Sequence, residues 1–121
     1  MQTMKTFTLT LFFALTLMVA PEARSQDRFV AGLGELPLMP GLTEDMTRRL
    51  VYEKAAGRIV NAVAVGPPTV RQIERFYRET LPQLGWQPVS AAKFRREKEI
   101  LSLTIITLSS GREVQYKIAP E

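Results

Sequence analysis

Between Val70 and Leu84 the apolar residues return every three or four positions. Val70, Ile73, Tyr77, Leu81 and Leu84 fall on one stripe, with Phe76 on its flank. Arg71, Glu74, Arg75, Arg78 and Glu79 point elsewhere, and Glu74 stands four residues before Arg78 in the favourable order for an ion pair. This spacing predicts one amphipathic helix. Pro67 and Pro68 end whatever precedes it, and Thr69 with Gln72 forms a T-x-x-Q capping box. At the far end Gly85 suits the left-handed residue that closes a helix, and Trp86 then packs back on Leu81. Pro82 lies in the last turn, where it removes one N–H and crowds the Arg78 carbonyl; that turn is expected to weaken or tighten. Trp86 thus reads as structural, the alternative being a side chain on which a ligand stacks.

Elsewhere the period is two. "LVYEK" (50–54) and "GRIVNAVAVG" (57–66) read as strands joined by a turn at Ala55, Ala56 and Gly57. Asn61 marks the outer side of the second strand, which leaves Val60, Ala62 and Ala64 on the core side. These are small residues that a helix can approach closely. "WQPVS" and "KFRRE" form one interrupted strand or two short ones, with Pro88 suited to an edge. "ILSLTIITL" (100–108) sets Leu101, Leu103 and Ile105 on one face, and "REVQYKIA" (112–119) sets Val114, Tyr116 and Ile118 inward. The predicted order is β-β-α-β-β-β: an α+β domain, with an antiparallel sheet of about five strands and one helix across one face. "TEDMTRRL" predicts a single helical turn capped by Thr43.

The other face of that sheet collects Ile59, Val63, Val65, Ile100, Ile106 and Leu108. Six apolar side chains exposed as one patch would mark an interaction site or an aggregation hazard. The apolar but Gly- and Pro-broken segment from Leu33 to Leu42 is expected to fold back over them as a lid, with a partner or a second copy as the alternative cover.

The N-terminal pattern is of another kind. Lys5 precedes an uncharged run, Thr6 to Ala20, shorter than a spanning helix requires, and Ala23-Arg24-Ser25 fits a small-x-small cleavage site. The expectation is a signal peptide over 1–25, an extended apolar arm over 26–48 and an α+β domain over 49–121. Localisation would be periplasmic or secreted after cleavage near Ser25. The alternative is an uncleaved anchor. Processing at Gln26 would leave 121 − 25 = 96 residues, enough for one modest core.

Composition narrows the chemistry. The chain has neither cysteine nor histidine, which excludes Cys/His zinc sites, Cys–His pairs and Ser–His triads. Removing Lys5, Arg24 and Glu22 from 16 basic and 12 acidic residues leaves 14 − 11 = +3, too weak and dispersed for nucleic-acid binding. No carboxylate sits in an apolar run that would raise its pKa. Glu44 with Asp45, or Glu97 with Glu99, could loosely hold a divalent cation, and neither pair resembles a calcium loop. No cofactor is expected and an enzyme is disfavoured; one working through carboxylates alone is the weakest option.

Two candidate surfaces remain. Arg71, Arg75 and Arg78 on the helix, with Lys93, Arg95 and Arg96 on a strand or turn, are candidates for an anion or an acidic partner, set against the plain reading of solvated faces. Leu36, Leu38, Met39 and Trp86 are candidates for an apolar partner surface.

"LGELPLMPGL", "AGRIVNAVAVG", "FYRETLPQLGW", "FRRE" and "VQYKIAP" together resemble a family of small uncharacterised bacterial exported proteins over about residues 33 to 120. The FY-x-x-x-LP-x-LGW segment is the most specific element, and segments of its kind recur in several envelope domains. The resemblance implies envelope location and an α+β domain, and it transfers no catalytic residue. The expectation is a non-enzymatic module that contacts an envelope protein; the alternative is a binder of a small ligand or of an anionic surface such as lipid headgroups or polymer.

Overall fold

The structure is a computed structural model that describes residues 29–30 and 36–121. The signal peptide read over 1–25, and residues 26–28 and 31–35 of the arm, lie outside the described residues.

The sheet has seven strands rather than about five. β1 (Thr43–Glu44), β2 (Leu50–Lys54) and β3 (Gly57–Gly66) precede the helix α1 (Val70–Thr80); β4 (Gln87–Ser90), β5 (Lys93–Arg96), β6 (Glu99–Leu108) and β7 (Gly111–Pro120) follow it. The spatial order is β1-β3-β7-β6-β5-β4, with β2 beside β1 on the same edge of β3, and each strand pairing is antiparallel. The α+β class stands. The extra strands have two sources. The segment around Pro88 splits into the hairpin β4–β5, and Thr43–Glu44 pairs with Val65 and Ala64 instead of starting a helical turn. That turn is a 3-10 helix over Met46–Arg48, capped by Asp45, whose carboxylate accepts from Thr47 N–H.

Register turns the alternating patterns into three cross-strand rows on the helix side. Val60, Ile118 and Leu101 align; so do Ala62, Tyr116 and Leu103; so do Ala64, Val114 and Ile105. Phe94 extends the first row through Leu101. α1 lays Ile73 and Tyr77 on these rows, and Leu81 and Trp86 close the core at its end. The capping box forms in full between Thr69 and Gln72. Pro82 tightens the helix end into a 3-10 turn, Leu81–Leu84, and Gly85 takes the left-handed conformation at φ 91°. Gly85 N–H then donates to Pro82 C=O and Trp86 N–H to Leu81 C=O, both at 3.1 Å, the pair of bonds that defines the Schellman stop.

The described part of the arm lies on the core side of the sheet and not over its second face. Leu36, Leu38 and Leu42, with Val30, are buried in the same core as α1 and the three rows. An 11-residue helix is about 16 Å long, whereas a ten-residue strand runs about 33 Å. One helix therefore leaves part of the core face bare, and the small side chains of Ala62 and Ala64 leave depth above it. The arm fills that space. It is held by Tyr77 Oη donating to Pro37 C=O at 2.9 Å, by a Met39–Leu42 turn closed at 3.0 Å, and by Gly66, whose missing side chain lets the Gly41 carbonyl pass against β3.

Candidate functional site

The face of the sheet away from α1 is built from the positions between the core rows. β7 runs through its middle, between β3 and β6. Its outward residues therefore decide the character of the surface. Lys117 aligns with Asn61 on one side and Ser102 on the other, and Ser102 aligns in turn with Lys93. Gln115 lies between Val63 and Thr104, and Glu113 between Val65 and Ile106. The apolar residues expected to form one patch are thus divided by a polar strand. Val63 is buried at the Asp45–Arg48 turn, where Asp45 N–H donates to Val63 C=O at 2.8 Å. Val65, Ile106 and Leu108 are exposed.

Arg48 reaches down from that turn to Glu113, and both guanidinium NH groups donate to the carboxylate. Gln115 donates to the same carboxylate at 2.8 Å. These bonds hold the Glu113 carboxyl below its ordinary pKa, Arg48 first and Gln115 second. The Thr47 hydroxyl does the same for Asp45. Beside the Arg48–Glu113 pair lies an open cavity of about 360 Å3, lined by Arg48, Asn61, Ser102, Thr104, Gln115 and Lys117 among others. Its wall offers hydroxyls, carboxamides and an ammonium group.

The sequence-predicted basic residues separate into three places. Arg71, Arg75 and Arg78 line a shallow depression on the outer side of α1 with Gln72 and Glu74. The ion pair formed there is Arg75–Glu79 at 3.0 Å, not Glu74 with Arg78. Lys93 and Arg95 flank the buried Phe94 and so belong to the open sheet face, on the opposite side of the molecule. Arg95 meets Glu121. Arg96 is on the core side, where its guanidinium stacks over the Trp86 ring at 4.4 Å and donates to Leu84 C=O at 3.2 Å. Arg96 is therefore part of the helix stop, and the two basic groups do not form one patch.

Of the apolar candidates, Leu36, Leu38 and Trp86 are buried and present no partner surface, and Met39 is half-buried. They are core because the arm packs inward. Three of the four carboxylates in the candidate pairs are engaged: Glu44 binds Arg49 at 3.0 Å, Asp45 caps its turn, and Glu99 binds Arg58 at 2.8 Å, while Glu97 is exposed. Among the described residues no group of three or more acidic side chains is placed to hold a metal ion, and no helix is long and apolar enough to cross a membrane.

Sequence reading did not single out Arg48, Asn61, Ser102, Thr104, Gln115 or Lys117 as a site. The alternation marks most of them as outward-facing, but only the β3–β7–β6 register brings them together. No family model matches the chain, and no curated protein or solved structure matches it either.

Proposed function

We propose that the protein is a non-enzymatic exported module that works by contact with a protein of the cell envelope, through the open face of its sheet. One observation carries this reading: a polar, net-positive groove at Arg48, Asn61, Gln115 and Lys117, rimmed by Lys93 and Arg95 on one side and by exposed Val65, Ile106 and Leu108 on another. A polar groove with apolar residues beside it suits a partner that is acidic where it meets the cations and apolar where it meets the rim. Export rests on the leader pattern of residues 1–25 and on the resemblance to exported envelope proteins, which remains a proposal.

The cavity favours a second reading, a small anionic ligand or an anionic surface held by Lys117 and Lys93, since Arg48 is already bound to Glu113. An enzyme using carboxylates alone has little support, because Glu44, Glu99 and Glu113 are each held by an arginine.

Capture from envelope extracts separates these readings. Wild-type chain should retain one stoichiometric protein, Lys117→Glu should lose it, and Arg75→Glu on the far side of the molecule should keep it. Retention of anionic lipid or polymer alone would favour the second reading. Equal capture by all three chains would remove the open face from the account.

A further inference from the structure

The two edges of the sheet end differently. β4 has four residues, carries Pro88, and breaks register between Pro88 and Ser90. Proline, a bulge, short length and charged side chains are devices that keep an edge from pairing with another chain. β2 has no proline and no bulge, and its charges, Glu53 and Lys54, stand together at its C-terminal end, beyond Leu50, Val51 and Tyr52. It runs five residues without proline or glycine, in unbroken register against β3 from Leu50↔Asn61 to Lys54↔Gly57. Its apolar residues are open: Leu50 is 52% exposed, Val51 54% and Tyr52 38%. Among the described residues nothing pairs with its outer edge.

The free backbone groups can be assigned. Asp45 N–H donates to Val63 C=O, so odd-numbered residues of β3 turn their polar groups toward this edge. Leu50, Tyr52 and Lys54 oppose Asn61, Ile59 and Gly57 and so bond inward. Val51 and Glu53 are left with N–H and C=O directed outward.

We propose that β2 pairs antiparallel with β2 of a second copy, about a two-fold axis at Val51. The exposed apolar run is Leu50-Val51-Tyr52, symmetric about Val51. This register sets Val51 against its equivalent, exchanging two backbone bonds, and Leu50 against Tyr52 of the second copy. Centring the axis on Tyr52 instead would oppose Leu50 to Lys54 and Val51 to Glu53, wasting two of the three apolar residues. An axis perpendicular to the sheet leaves the open faces of both copies on the same side, as one continuous surface. The inference goes beyond the proposed envelope partner, and oligomeric state reads it independently of partner capture.

Val51→Cys tests the pairing, since it introduces the chain's only thiol. A hydrogen-bonded antiparallel pair places Cα atoms about 5.5 Å apart, within disulfide reach. Under mild oxidation the full chain carrying Val51→Cys should form a disulfide-linked dimer at least tenfold faster than one carrying Val89→Cys, which places the thiol on β4 at a position 57% exposed. In sedimentation equilibrium without crosslinking, Val51→Lys should weaken self-association at least tenfold and Val89→Lys leave it unchanged. Both sites are exposed, so circular dichroism should stay native. Equal crosslinking at Val51 and Val89, or a wild-type chain that is monomeric at every concentration, would overturn the proposal.

Discussion

The hydroxyls of Tyr77 and Tyr116 meet 2.6 Å apart inside the core. Tyr77 has one hydroxyl proton and gives it to Pro37 C=O, so Tyr116 is the donor between the two rings. The chain of bonds runs from the central strand to the helix to the arm. The two substitutions should therefore be unequal. Tyr116→Phe removes one bond and should cost about 1 kcal/mol. Tyr77→Phe strands both the Pro37 carbonyl and the Tyr116 hydroxyl, and should cost about 2–3 kcal/mol. Chemical denaturation of the single and double variants measures this. Equal losses would mean that the arm is not tied through Tyr77.

The same pair sets an alkaline limit. Burial pushes the Tyr77 phenol up to about 12, and burial beside Tyr77 pushes Tyr116 up in the same direction. An unfolded tyrosine ionises near about 10. The folded state keeps its protons where the unfolded chain has lost them. The contribution to stability is thus complete below about pH 10 and declines as pH rises beyond it. Unfolding free energy followed upward from neutral pH should fall from about that point, with a shallower slope in the Tyr77→Phe/Tyr116→Phe chain. Phenolate absorbance from these two residues in a still-folded protein would contradict the assignment.

Trp86 is fully buried under the Arg96 guanidinium. Trp86→Ala should destabilise the fold by about 3–5 kcal/mol, the range for deleting a large core aromatic. Arg96→Ala should cost about 1 kcal/mol through the lost cation–π contact and the freed Leu84 carbonyl. Denaturation midpoints decide both. A loss under about 1 kcal/mol for Trp86→Ala is the signature of a surface position and would return Trp86 to the list of binding residues.

What could be read from the chain divides along local and non-local lines. The Thr69–Gln72 capping box, the Gly85–Trp86 stop and the inward faces of β3, β6 and β7 depend on residues a few positions apart, and the sequence carries them. The place of the arm does not. Leu36, Leu38 and Leu42 are apolar wherever they go, and their address is set by the depth above Ala62 and Ala64, which only the assembled sheet creates. The open-face groove is non-local for the same reason. Asn61, Ser102 and Lys117 come from three strands, and Arg48 from a turn whose local pattern is readable but whose position over Glu113 is not. Arg96 was misleading in isolation: a cation in a basic run looks like a binding residue until the turn at Trp86 is seen beside it.

The central claim is that the open sheet face is the working surface, and site-specific photo-crosslinking in cells tests it most directly. A photoreactive side chain at Thr104, exposed within the groove, should give one discrete adduct whose added mass is that of a protein. The same probe at Arg75, on the outer side of α1, should give none. An adduct from Arg75 with nothing at Thr104, or no protein adduct from either position, would contradict the account.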